Sequence, residues 1–253
     1  MSLQPRETPV MEQGAFPRMS APQGRRRLMK RGLGALLTCL FLTVPASTIN
    51  ATPMEVSIVY SRSFDTACSL LRGYAIEPGW RAALEKMLPE TRKAWSEEGR
   101  PVLDHVLQLT GKRLHGHHRV QLTLCDIPSS SRFGPMVNMR HALPEFTGDP
   151  VPLRYKVATI DHELLHSLLA ELDLSGSRML GVHAGEPERV RSHLHLFALM
   201  QAALLDLGRQ DALAELQRID GGLPEPSYRR AWQLVNRAPD DYLTYVEEVR
   251  RAR

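Results

Sequence analysis

Residues 160–168 read IDHELLHSL, setting two histidines and a glutamate into a stretch that is otherwise mostly leucine and isoleucine. Ile160, Leu164, Leu165, Leu168, Leu169 and Leu172 cover so much of a helix over 158–172 that it is expected to be nearly buried. A polar group in such a place is costly unless it finds a partner, and a charge more so. The fold must therefore bring something to His162, Glu163 and His166.

Positions i and i+4 of a helix share one face. His162 and His166 can therefore reach one metal ion, at about 2.0–2.1 Å from each nitrogen. Glu163 lies beside them, completing H-E-x-x-H. A water on such an ion has its pKa lowered toward about 7. Glu163 can take its proton and pass it to a departing amine. A third ligand is expected from a second long helix over 188–207, which offers Glu188, His193 and His195. His193 shares a face with Phe197, Met200 and Leu204 and is preferred; Glu188 and then His195 stay open. The other reading of His193 is a core histidine bonded to a backbone carbonyl. An oxyanion would need a donor; Tyr155, His183, Tyr242 and Tyr245 are available, and no pattern chooses among them.

With its apolar flanks, this motif resembles that of the zincin metalloproteases, in particular poorly characterised exported bacterial members. The resemblance covers His162 to His166 and its surroundings, a small part of the chain. A metzincin would carry Gly at 169 and His at 172, where this chain has Leu169 and Leu172. Peptide deformylases share the motif, but their glycine-rich and cysteine-containing segments have no counterpart here. The resemblance implies a Zn²⁺ ion on His162, His166 and His193, with Glu163 as catalytic base and a peptide or protein as substrate. It also implies a helix-rich α+β domain with a small mixed sheet, in which residues 120–125 (VQLTLC) form the edge strand that aligns the substrate. The alternative is a non-catalytic metal-binding module with a partner-binding role, and retention of Glu163 favours the enzyme. A membrane-tethered helical interaction protein is a third reading.

The remainder divides into a leader over 1–51 and a domain over 52–253. RRRLMKR at 25–31 precedes an apolar run at 33–44 and a small, polar segment at 45–51, the layout of an export signal. The segment from Gly24 to Lys30 also resembles a twin-arginine signal, with Gly where Ser or Thr is usual. A periplasmic or secreted protein is expected, touching a membrane only if the leader stays uncleaved. The net charge of +4 resides in this leader, because residues 52–253 hold 25 basic and 26 acidic side chains, a net of −1. No electrostatic case for a nucleic-acid partner remains. Cys68 and Cys125 can form a disulfide in an oxidising compartment or stay reduced and buried. Strands are expected at 54–60 and 120–125, and helices at 78–88, 90–98, from a start marked by Gly99-Arg100-Pro101, and at 211–219, 227–235 and 240–250. Pro89 is expected to separate the first two helices. The His-rich 111–119 segment reads as a solvated turn, and 127–152 as a long loop leading toward the site.

Overall fold

Every residue from His193 to Leu204 is buried. A helix apolar on all sides is stable only when enclosed, and the rest of the chain encloses this one. Residues 54–238 and 240–253 are described in a computed structural model; the leader expected over 1–51 lies outside them. In chain order they form β1 (Glu55–Tyr60), α1 (Arg62–Arg72), α2 (Pro78–Ala94), α3 (Arg100–Thr110), β2 (His117–Thr123) and β3 (Met136–Asn138). There follow α4 (Leu153–Ala170), α5 (Arg178–Val182), α6 (Glu188–Asp206), α7 (Gln210–Gly222), α8 (Ser227–Val235) and α9 (Asp241–Arg251). The central helix is α6, packed against α3, α4, α7, α8 and α9. Leu194, Leu196, Phe197 and Leu199 are wholly buried on it, each contributing about 1.5–3 kcal/mol. No helix among the described residues is long and apolar enough to cross a membrane.

The fold is α+β and helix-rich. Its sheet, however, is not mixed: the three strands run parallel in the order β1-β2-β3. Glu55 pairs with His117 and Tyr60 with Leu122, while Gln121 pairs with Met136 and Thr123 with Asn138. Parallel pairing needs a long return path, supplied by α1, α2 and α3 between the first two strands and by residues 124–135 between the last two. The strand read at 120–125 is thus central rather than an edge. The edge facing α4 is β3, which lies inside the segment expected to be loop, where three residues were too few to give a pattern. The 111–119 turn ends three residues early, because His117, His118 and Arg119 open β2. Both histidines are committed locally: His117 Nε2 meets Ser57 Oγ at 2.7 Å, and His118 Nε2 donates to the His115 carbonyl at 3.0 Å.

Pro89 does not end a helix. It lies on the exposed side of α2, so the carbonyl deprived of its amide partner can turn to water. The helix continues to Ala94, passes through a π-helical turn over Trp95–Gly99, and resumes as α3. That turn packs against α4, where Trp95 Nε1 donates to the buried Asp161 Oδ1 at 3.0 Å. Gly99 makes the approach possible, since a Cβ there would lie 2.5 Å from Trp95 Cδ1 and 2.9 Å from Val157 Cγ1. The neighbour of His162 in sequence is therefore held by a contact that only glycine permits.

Cys68 and Cys125 are joined in a disulfide, with their Cα atoms 6.0 Å apart. It fastens α1 to the end of β2, beside a second tie. Asp65, fully buried, accepts from Tyr60 Oη at 2.8 Å, from Thr123 Oγ1 at 2.5 Å and from the Leu124 amide at 3.0 Å. Together these fix the point at which the chain leaves the sheet for residues 126–152.

Two outcomes follow. Replacing both cysteines by alanine opens a cross-link between residues 57 apart, and denaturant unfolding should record a loss of about 2–4 kcal/mol; an unchanged midpoint would contradict the cross-link. Gly99→Ala should lower stability by about 1–3 kcal/mol, because the overlap outweighs the gain in helix propensity of about 1 kcal/mol. A stabilised variant would show that Trp95 can move freely.

Candidate functional site

The side chain of α4 that most needs a partner is not the only one there. Its buried residues include Lys156, Asp161, His162 and Glu163 among the expected leucines. Asp161 is satisfied by Trp95, and burial pushes its carboxyl up to about 7. The helix starts at Leu153, five residues before the leucine pattern suggests, after Pro152.

His162 and His166 lie one turn apart on α4, and His193 approaches from α6. His166 Nε2 is 3.1 Å from His162 Nε2 and 3.2 Å from His193 Nε2. The three ligand atoms lie within 4.8 Å of one another. A tetrahedral ion with metal–nitrogen bonds of about 2.0–2.1 Å would hold nitrogens about 3.3–3.4 Å apart, close to the two contacts formed here. His193 Nδ1 donates to the Arg189 carbonyl at 2.5 Å. A carbonyl can only accept, so the proton of a neutral His193 is on Nδ1 and Nε2 offers a lone pair toward the cluster. The core-histidine reading and the ligand reading of His193 thus describe its two nitrogens. Burial, and then the closeness of His193 and His166, holds His162 well below the usual imidazole range. His166 and His193 are each pushed down to about 4, mainly by burial. All three are neutral at pH 7, the form that binds metal.

The other two candidates on the second helix lie apart. Glu188 is exposed in the first turn of α6. His195 faces α9, with Nε2 3.0 Å from Glu248 Oε2 and its ring against Tyr245.

Glu163 is buried, and its Oε2 has no hydrogen-bond partner. Burial alone pushes its carboxyl up to about 8. It lines, with His162, a cleft of about 540 Å³ whose wall includes Ile127, Asn138, His141, Asp220 and Tyr228. The 127–152 segment does border the site. It is an ordered wall: Asn138 Nδ2 donates to the Ile127 carbonyl at 2.7 Å, Arg140 pairs with Asp126 at 2.8 Å, and the Arg140 guanidinium lies 4.4 Å from the centre of the Phe146 ring.

Tyr228 was not among the sequence candidates. Its ring lies 4.6 Å from that of His193 and 5.6 Å from that of His162. Burial, then the Glu163 charge, raises its hydroxyl well above the usual range, so it stays a donor. Asp220 fixes the frame around it, accepting from Tyr155 Oη at 2.9 Å and from Trp232 Nε1 at 2.8 Å. Trp232 in turn stacks on Phe197 at 4.1 Å, and Phe197 backs His162 and His193. Of the tyrosines and histidine considered as donors, Tyr155 lines the cleft with its hydroxyl engaged by Asp220; His183, Tyr242 and Tyr245 are not among the lining residues. Tyr228 lies more than sixty residues from the motif in a short helix, and spacing alone carries no sign of the contact.

No family model, curated protein or solved structure matches this chain.

Proposed function

We propose that the chain is an exported zinc-dependent peptidase, with His162, His166 and His193 as metal ligands and Glu163 as catalytic base. The observation that carries this reading is the meeting of three neutral imidazoles, of which His162 lines the cleft together with the buried, unpartnered carboxyl of Glu163. The donor set fits the ion. Imidazole nitrogens suit zinc, and three protein ligands leave a position open. A nearby divalent cation would also favour the ionised form of Glu163, which burial disfavours.

When bound, zinc would polarise the scissile carbonyl and lower the pKa of a water. The protein's own groups do the rest. Glu163 accepts the proton of the attacking water as its oxygen bonds to the carbonyl carbon. It then delivers that proton to the amine nitrogen as the carbon–nitrogen bond breaks. Tyr228 can donate to the developing oxyanion. The ordered 127–152 wall and β3 supply one side of the peptide's path. The Cys68–Cys125 disulfide supports passage to an oxidising compartment, in keeping with the leader-like 25–51 segment.

The test is zinc content and hydrolysis of a mixed peptide library by the full chain. Near one zinc per chain is expected, lost in His162→Ala and His193→Ala. Glu163→Gln should keep its zinc and lose hydrolysis by about 10²–10⁴-fold. Zinc without hydrolysis in the parent would overturn the enzyme reading and leave a metal-binding module. Absence of zinc after incubation with excess ion would overturn both.

A further inference from the structure

Lys156 stands two turns before Glu163 on α4, so their Cα atoms are about 10 Å apart along the helix axis. It is only 6% exposed, yet it lines the same cleft. Its environment is short of negative charge. Of the acidic residues that line the cleft with it, Glu163 lies two turns further along α4, Asp126 is paired with Arg140, Asp220 is engaged by Tyr155 and Trp232, and Asp149 is an exposed rim residue. The nearby His141 can offer only a neutral or a positive ring, and burial, then the charges of Lys156 and Arg140, holds it below the usual imidazole range. Burial is the sole influence on the Lys156 ammonium, lowering it to about 8. The Tyr155 ring, 5.7 Å from the Lys156 Nζ, is a weak partner for a charge; a lysine kept charged at this depth without an anion is costly, and a ligand that brings a negative group into the cleft removes the cost.

We propose that Lys156 binds a carboxylate of the peptide substrate, two to three residues from the bond that is cut. The distance sets this interval, because an extended peptide advances about 3.3–3.6 Å per residue. The carboxylate can be the chain's C-terminus or an acidic side chain. This inference deepens the peptidase reading and rests on it for the identity of the ligand.

The experiment measures binding, separately from turnover. Calorimetry on the zinc-loaded full chain carrying Glu163→Gln compares two pairs of blocked tripeptides: N-acetyl-Ala-Ala-Ala against its C-terminal amide, and the amides of N-acetyl-Ala-Glu-Ala and N-acetyl-Ala-Gln-Ala. The acid of one pair should bind about tenfold or more tighter than its neutral partner, and which pair responds identifies the source. The preference should vanish with Lys156→Met and persist with Lys156→Arg. Lys156→Met removes an unpaired buried charge, so its melting temperature should be equal or higher. No preference in either pair, no binding of either acid, or a preference that survives Lys156→Met would overturn the carboxylate site. Peptide hydrolysis by the unsubstituted chain separates the two readings. Hydrolysis without a Lys156-dependent preference overturns this inference alone. A Lys156-dependent preference without hydrolysis of any peptide overturns the peptidase reading alone.

Discussion

The packing of α4 on α6 is the contact on which the candidate site depends. Both helices are buried far beyond what a surface helix reaches, and the leucines that bury them leave His162, His166 and His193 facing one another. Were either helix to rotate, polar groups would turn into hydrocarbon at high cost. The second contacts of the histidines reinforce the arrangement: Arg189 fixes the tautomer of His193, and Phe197 on Trp232 closes the space behind the rings. The same enclosure keeps the imidazoles neutral, because a charged ring so deep would lose its hydration.

Around this pair the chain places two fixed walls. One is built from the π-helical turn at Trp95–Gly99, whose tight seat against Val157 brings an indole to Asp161. Inserted turns of this kind recur at functional sites because they displace a side chain without breaking the helix. The other wall comes from residues 126–152, anchored by the Asp65 network and the Cys68–Cys125 disulfide at the end of β2. The cleft, lined by the second of these walls, carries buried groups of opposite tendency. Glu163 and Asp220 are drawn toward their neutral acids, and Lys156 toward its neutral amine, each chiefly by loss of water.

Much of the frame was legible in the sequence. The leucine pattern of 158–172 and the apolar run from Leu194 mark the two helices that meet, and the inward face shared by His193 and Phe197 singles that histidine out from Glu188 and His195. Local pattern failed where tertiary contact decides. Nothing in the spacing of Pro89 says that its side of the helix is exposed. A three-residue strand such as β3 is too short for alternation, so the sheet's direction and the central place of β2 stayed hidden. Tyr228, Asp220 and Trp232 reach the site through helix packing over long sequence separations. Lys156 preceded the expected start of its helix, which concealed that it shares a cleft with Glu163.

In the proposed site three imidazoles, one of them from α6, hold a single zinc ion. X-ray absorption at the zinc edge of the loaded full chain measures that directly. Three imidazole nitrogens at about 2.0–2.1 Å and a light-atom fourth ligand are expected, with one imidazole fewer or no bound zinc in His193→Ala. A sulfur shell, two imidazoles in the parent chain, or an unchanged spectrum in His193→Ala would contradict it.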